Sequence, residues 1–390
     1  MRQTRRLPIK HYRIECYRPP SAGAFALIGK SYILTAAAIA LALGCCGCSA
    51  RLPQGSLLPV AQAETEGTSR VPVLVATERK RSTADAAGEM FGRERAEEMS
   101  YASVTVSIPP DAARRIGEVQ WPPSLPGDPR QSFAALSANY LDKPALVTAL
   151  SASAQQSPSG KVLIFVHGFN NHFDEAVFRF AQIIHDSKVP ALPLLFSWPS
   201  RGLVGLSAYQ EDLQSATESR VALEQLFDLV GANANVKEVT ILCHSMGCFL
   251  TLEALRSKAV RDGRVGDKVK NVLLVAPDVD VNLFDAEIRQ MGRARPRFVL
   301  FVSQDDHALK LSKAIGGGIT RLGDVDPDQE PYKSDFRRNG IMVFDLTHLR
   351  GDAHSRAFEN ATSVMGMIEE RLAEGQQMTD DSSNPIAAIQ

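Results

Sequence analysis

Apolar residues fall into short continuous runs that alternate with longer amphipathic stretches from residue 161 onward. Each run has the length of a strand and lacks a polar face, which is typical of strands buried on both sides. These runs predict strands at 161–166, 192–197, 239–243, 269–276, 297–302 and 340–345. The intervening and final stretches predict helices at 173–186, 208–230, 247–260 and 356–372. This alternation predicts an α/β fold with a mostly parallel central sheet covered by helices on both faces.

Two further strands are predicted upstream, at 71–76 and 102–108, separated by a charged stretch from Glu78 to Glu98. We expect them to form an antiparallel N-terminal edge of the sheet. The folded domain is therefore predicted over residues 71–374. Residues 51–70 lack periodic apolar positions and are predicted to be a flexible tether, and the polar residues 375–390 to be a disordered tail.

The first fifty residues have the layout of a secretory signal. Residues 1–30 are rich in Arg and Lys, the apolar run 31–43 is shorter than the roughly 20 residues that a membrane-spanning helix needs, and small residues follow. Residues 1–50 are therefore predicted to be a signal sequence that is removed.

A cysteine at the end of this apolar run is the predicted site of lipid attachment. Leu43-Gly44-Cys45 resembles the lipobox of bacterial lipoproteins, although Ala42 stands where Leu is usual. Cys45 is the predicted lipidated residue; Cys46 and Cys48 are alternatives, and ordinary cleavage after Ala50 is another. The prediction is an exported protein of the bacterial cell envelope, lipid-anchored to a membrane and facing the periplasm, with a soluble periplasmic protein as the alternative.

Composition narrows the classes of function. The chain has 390 residues, 44% of them hydrophobic, and a formal net charge of -1, which leaves no basic excess for binding nucleic acid. The histidines lack ligand spacing such as His-Glu-x-x-His, and no glycine cluster has the spacing of a phosphate-binding loop, so we predict no metal and no cofactor. Cys243 and Cys248 are predicted to be buried thiols beside a turn, without a redox role.

One serine lies where a nucleophile is expected in such a sheet. His244-Ser245-Met246-Gly247 directly follows strand 239–243 and opens a helix, which is the context of a nucleophile elbow. Cys243 replaces the usual first glycine of Gly-x-Ser-x-Gly. Ser245 is therefore the predicted nucleophile, and the alternative is a serine that only caps the helix.

The oxyanion that forms in acyl transfer needs backbone donors. Met246 is predicted to supply one N–H, and Phe169, after strand 161–166, the other, because Gly168 permits a tight turn there. For His167, a ring that braces this loop by hydrogen bonds is favoured over a direct role in proton transfer.

The acid and the base of a triad are expected in that order after the serine. Asp305 and Asp306 both follow strand 297–302, and Asp278 and Asp280 are reserves after strand 269–276. His354, on the loop before the last helix, is the predicted base. His348 is assigned a structural role at the sheet edge, and His307 is assigned a surface position.

Residues 71–372 resemble an uncharacterised family of bacterial α/β-hydrolases, many of which are lipoproteins. The motifs that carry the resemblance are Ala76-Thr-Glu-Arg79, Phe91-Gly-Arg93, Tyr101 with Val106-Ser-Ile-Pro109, Val166-His-Gly-Phe-Asn170, Phe196-Ser-Trp-Pro-Ser200, His244-Ser-Met-Gly247, Ala276-Pro-Asp-Val-Asp280 and Ser303 with Asp306, Ala308 and Leu309. The resemblance implies the α/β-hydrolase fold and a triad of Ser245, Asp306 and His354. It implies no particular substrate.

The sequence therefore predicts a serine hydrolase, in the first instance a carboxylic-ester hydrolase acting on a small-molecule or lipid ester. The alternative is a non-catalytic, membrane-tethered binding or envelope-assembly protein on the same scaffold. Residues 196–200 and 209–212 are candidates for lining an acyl pocket, and Trp198 is equally explained as a core aromatic residue.

Overall fold

Nine strands form a single sheet in the computed structural model, which describes residues 55–60, 65–83, 88–157, 159–360 and 364. The strands are β1 Ser69–Arg81, β2 Phe91–Ile108, β3 Ala134–Leu141, β4 Lys161–Val166, β5 Leu192–Ser197, β6 Glu238–His244, β7 Val269–Val275, β8 Arg297–Val302 and β9 Met342–Asp345. Their order across the sheet is β3-β2-β1-β5-β4-β6-β7-β8-β9. The pairs β1–β2 and β2–β3 are antiparallel and all others are parallel, so the predicted sheet and its antiparallel edge are confirmed.

Helices cover both faces of this sheet, as predicted. They are α1 Lys143–Gln156, α2 Phe173–Ser187, α3 Leu206–Glu218, α4 Arg220–Ala232, α5 Met246–Asp262, α6 Val281–Met291, α7 His307–Ile315, α8 Tyr332–Asn339 and α9 Arg356–Glu359. Alternate residues of β4 enter separate cores: Val162 and Ile164 pack with α1 and α3–α6, whereas Leu163 and Phe165 pack with α2 and α9. The carboxyl ends of the parallel strands therefore meet at one edge, between two helical layers.

The N-terminal hairpin is longer than predicted. The charged stretch expected to separate two short strands is itself largely strand, because β1 and β2 pair from Ser69 opposite Ile108 to Arg81 opposite Phe91. The segment predicted as a tether also contains ordered residues: Leu57 is 1% exposed and its N–H donates to the Gly88 carbonyl at 3.2 Å. The signal segment 1–50 and the tail 375–390 lie outside the described residues.

The single helix predicted at 208–230 is wrong. It is divided into α3 and α4 at Ser219, where Arg95 of β2 hydrogen-bonds the Ser215 carbonyl at 2.6 Å and the Ser219 hydroxyl at 3.0 Å. A long-range contact at the end of a helix leaves no trace in local periodicity. None of the described helices has the length and apolarity needed to cross a membrane.

Candidate active site

Ser245 occupies a sharp bend between β6 and α5. Its backbone has φ 52° and ψ −123°, a left-handed conformation that non-glycine residues seldom adopt, and its side chain is buried. Gly247 makes the bend possible, since a Cβ there would lie 2.6 Å from the Val166 carbonyl oxygen and collide with that of His167. The bend is therefore packed tightly against the end of β4, and position 247 admits only glycine.

A disulfide joins Cys243 to Cys248 across this bend. The prediction of two separate thiols is therefore wrong. The Cα atoms are 4.9 Å apart, within the range that a disulfide spans, because the chain reverses from strand to helix at Ser245 and brings the two Cβ atoms together. Both cysteines are fully buried, one on each side of the predicted nucleophile.

His354 and Asp306 meet at the end of β8. The Nδ1 atom of His354 donates to Oδ2 of Asp306 at 2.7 Å, while Oδ1 accepts the Leu309 N–H at 3.0 Å and caps α7. Asp306 is thus both a helix cap and the partner of the imidazole. Its side chain is fully buried.

The two groups shift each other's pKa in opposite directions. Burial opposes ionisation of Asp306, but the His354 charge and hydrogen bonds from His354 and Leu309 outweigh burial and hold the carboxyl pKa below its usual value. Burial also disfavours the imidazolium of His354, but the Asp306 charge and hydrogen bond raise the pKa of this ring above its usual value. The pair therefore stabilises a protonated imidazole next to an ionised carboxylate.

His244 supports the loop that carries His354, a role that sequence reasoning missed. Its Nε2 donates to the His354 carbonyl at 3.0 Å, and the two ring centroids are 4.7 Å apart. Burial, followed by repulsion from the His354 charge, lowers the pKa of His244 to about 3, so this ring is neutral. The signal in the sequence was its position directly before Ser245.

The alternative acids and bases lie elsewhere. Asp305 binds Arg356 at 2.7 Å, and Asp280 caps α6 by accepting the Asn282 N–H at 2.7 Å. Asp278 accepts hydrogen bonds from Tyr209 and Ser312, and its own N–H donates to the Ser245 carbonyl at 3.2 Å. The two remaining candidate histidines are exposed: His307 and His348. Among these candidates only Asp306 contacts His354.

The loop after β4 passes directly beside the bend. A Cβ on Gly168 would lie 3.0 Å from Ser245 Cβ, so the backbone approaches the serine as closely as glycine allows. The N–H groups of Phe169 and Met246 donate to no acceptor within the described chain. Two free backbone donors on the segments beside a buried serine are the kind of group from which an oxyanion site is built.

Ser245 and His354 are not directly hydrogen-bonded among the described residues; the contacts that connect them run through His244, whose ring lies against His354.

Trp198 is fully buried, stacks on His167 with a centroid separation of 5.2 Å and donates to the His167 carbonyl at 2.8 Å. It is a core residue that supports the loop after β4, whereas the half-buried Tyr209 packs against the ring of Phe169 with a centroid separation of 5.6 Å.

Comparisons with known proteins agree with this architecture. The model of the family described as "Alpha/beta hydrolase of unknown function (DUF900)" matches residues 142–371, more than half of the chain. That range contains the three predicted triad residues. No curated protein matches the sequence.

Several solved structures are similar to this chain at low identity. A predicted CIB-like hydrolase from Thermoplasma acidophilum is 14% identical, with 56% of this chain and 88% of that chain covered and a TM-score of 0.31. A lipase-esterase related protein from Clostridium acetobutylicum is 13% identical, with 55% and 95% covered and a TM-score of 0.27. Naproxen esterase from Bacillus subtilis is 10% identical, with 60% and 99% covered and a TM-score of 0.30.

Proposed function

We propose that this chain, which belongs to the DUF900 family of alpha/beta hydrolases, is a serine hydrolase that cleaves carboxylic esters through Ser245, Asp306 and His354. The observation that carries the proposal is the 2.7 Å hydrogen bond between the buried Asp306 and His354, on the same sheet edge as a serine in a left-handed bend. The three residues come from separate loops, in the chain order that this fold uses.

The reaction follows from the roles of the three side chains. As Ser245 Oγ attacks the ester carbonyl carbon, His354 Nε2 accepts the hydroxyl proton, and the carbonyl oxygen takes up the negative charge. The C–O bond then breaks, and the alcohol leaves with the proton from His354. Water, deprotonated in turn by His354, attacks the acyl-enzyme and releases the acid with Ser245 restored.

Electrostatics around His354 support this role. Asp306 fixes Nδ1 as the protonated nitrogen of the neutral ring, so that Nε2 carries the lone pair that a base needs. When Nε2 gains a proton, the buried carboxylate stabilises the charge at close range. The N–H groups of Phe169 and Met246 are the proposed donors to the oxyanion.

Labelling with a fluorophosphonate probe tests the proposal. The wild-type protein is expected to form a covalent adduct on Ser245, and Ser245→Ala to form none. The matched control is Ser312→Ala, which removes another buried hydroxyl outside the triad and is expected to leave labelling intact. An unlabelled wild type, or equal labelling of Ser245→Ala, would contradict the proposal.

We also propose that the protein is exported and held on a bacterial membrane through a lipid on Cys45. The support is the charged, apolar and small-residue order of residues 1–50 in the sequence. A hydrolase anchored in this way would meet ester substrates in the cell envelope, lipids among them.

A further inference from the structure

Arg79 is a fully buried cation next to the candidate active site. Its guanidinium donates to neutral acceptors, which are Ser197 Oγ at 2.9 Å and the carbonyls of Asn171 at 2.8 Å, Ser200 at 3.0 Å and Gly92 at 3.2 Å. No carboxylate forms an ion pair with it among the described residues; Asp212, Asp174 and Glu175 act on it only as neighbouring charges. Burying a charge without an ion pair is unfavourable, so the network around Arg79 calls for an explanation beyond packing.

One series of hydrogen bonds leads from Arg79 to the loop after β4. Nε of Arg79 donates to Ser197 Oγ, which lies 3.1 Å from His167 Nε2, and His167 Nδ1 lies 2.9 Å from the Gly168 carbonyl oxygen. A carbonyl oxygen only accepts, so Nδ1 carries the ring proton. Burial, followed by the Arg79 charge, lowers the pKa of His167 to about 3, so the ring is neutral and Nε2 accepts the Ser197 proton.

The last acceptor in this series belongs to the peptide that is proposed to bind the oxyanion. The Gly168 carbonyl and the Phe169 N–H are the two ends of one planar trans peptide, and they point in opposite directions. Fixing the carbonyl therefore fixes the direction of the N–H. We propose that Arg79, Ser197 and His167 are positioning residues that hold the Phe169 N–H toward the oxyanion formed at Ser245.

The other end of the loop is held by Asp212 and Ser200, in addition to the bonds from Arg79 to the Asn171 and Ser200 carbonyls. Asp212 accepts the Asn170 N–H at 3.3 Å and the Ser200 hydroxyl at 2.6 Å, and Ser200 Oγ accepts the Asn171 N–H at 3.2 Å. With both ends fixed, the Phe169 peptide has little freedom to turn. A donor that is oriented before substrate arrives stabilises the transition state without reorganisation.

The inference rests on the proposed esterase activity, and the test uses two substrates that differ in one atom. An aryl ester and its thionoester, in which sulfur replaces the carbonyl oxygen, react at the same serine, but sulfur accepts hydrogen bonds weakly. The ratio of kcat/KM for the two esters therefore reports on oxyanion binding. Because both values come from the same enzyme, the ratio does not depend on the fraction that is folded.

Ser197→Ala breaks the series between Arg79 and His167 with little change in volume, and Arg79→Lys removes the planar group that binds several acceptors. Both variants are expected to lower the oxoester-to-thionoester ratio by about tenfold, mainly through kcat for the oxoester. The matched control is Arg114→Lys. Arg114 is also buried and pairs with Asp186 at the far end of α2, so this variant is expected to lower thermal stability and leave the ratio unchanged.

The outcomes separate the inference from the proposed function. Wild-type ratios in both Ser197→Ala and Arg79→Lys, or an equal loss on both esters, would overturn the positioning role while leaving the esterase intact. A wild type that hydrolyses neither ester and resists the fluorophosphonate probe would overturn the proposed function and the inference with it.

Discussion

At the scale of single residues, the candidate site depends on how burial and neighbouring charges set protonation. His354 and His244 are both half-buried, yet the pKa of His354 is raised and that of His244 is lowered to about 3. The difference lies in the partner: His354 has an ionised carboxylate on Nδ1, whereas His244 hydrogen-bonds a carbonyl oxygen and packs against the rings of His354 and Phe358. Two adjacent histidines therefore differ in protonation: His354 is more readily protonated than a free imidazole, and His244 stays neutral.

Asp306→Asn tests the first of these roles. The amide no longer stabilises the imidazolium, so kcat is expected to fall by about 10³- to 10⁴-fold with little change in KM. Activity requires the neutral form of His354, whose pKa is raised above the ordinary value of 6.5. In the wild type, kcat/KM should therefore fall on the acidic side of the pH profile, as pH drops through this raised pKa. In Asp306→Asn this acidic limb should move to lower pH, as a profile of kcat/KM against pH would reveal. An unmoved limb would mean that another group controls the titration.

Glu287 on α6 is a buried acid outside the site, with 1% of its surface exposed. Burial, followed by the neighbouring Glu253, raises its pKa to about 9. The folded state therefore holds a proton that the unfolded state loses near its ordinary pKa of 4.5. This group makes the free energy of unfolding fall as pH rises between those values, with no further loss above the folded pKa.

Glu287→Gln should weaken that pH dependence, because the amide does not titrate. Urea denaturation at pH 5 and pH 8 is expected to give a smaller loss of stability in the variant than in the wild type. Asp285→Asn, on the same helix and more exposed, is the control and should retain the wild-type difference. Equal differences in wild type and Glu287→Gln would contradict the assignment.

At the scale of elements, the bend between β6 and α5 is held both by close packing and by a covalent bond. Gly247 packs on the end of β4, and the disulfide links the end of β6 to the first turn of α5. Such a short loop corresponds to about 2 kcal/mol of stabilisation in the chain-entropy model. The left-handed backbone of Ser245 is strained, and the packing and the disulfide hold it in that conformation.

Breaking the disulfide should therefore affect both folding and activity. Cys243→Ser with Cys248→Ser is expected to lower the free energy of unfolding by about 2 kcal/mol and to reduce kcat, because Ser245 loses part of its support. Incubation with a dithiol reductant under mildly denaturing conditions should lower stability in the wild type and not in the double variant. Identical denaturation curves for oxidised and reduced wild type would contradict this prediction.

At the scale of the whole molecule, the parallel half of the sheet was predictable because its strands are continuous apolar runs. β3 was missed because Ala134–Leu141 mixes apolar with polar residues, and α1 because Lys143–Gln156 is rich in Ala and Ser and has no marked apolar face. The three triad candidates were predictable from motifs at strand ends. The network around Arg79 was not, since it joins β1, β5 and the loop after β4 through contacts that no local pattern encodes.

The proposed anchor is also a property of the whole molecule. In a bacterial lysate, Cys45→Ala should be found in the soluble fraction or as an uncleaved precursor, and not as the mature protein in the membrane fraction, because no lipid holds it. Mass spectrometry of the mature N-terminus would check this directly, with Cys46→Ala as the control that should keep the modification. A wild-type N-terminus that starts beyond residue 50 without a lipid would contradict the anchor.

The covalent link between Cys243 and Cys248 has a practical consequence for proteomics. Trypsin cleaves after Lys237 and after Arg256 with no site between, so one peptide carries both half-cystines and Ser245. Its mass without reduction is lower by two hydrogen atoms when the bridge is closed, and higher by the probe when the serine has reacted. A single fragment from living cells therefore reports oxidation state and occupancy together, molecule by molecule.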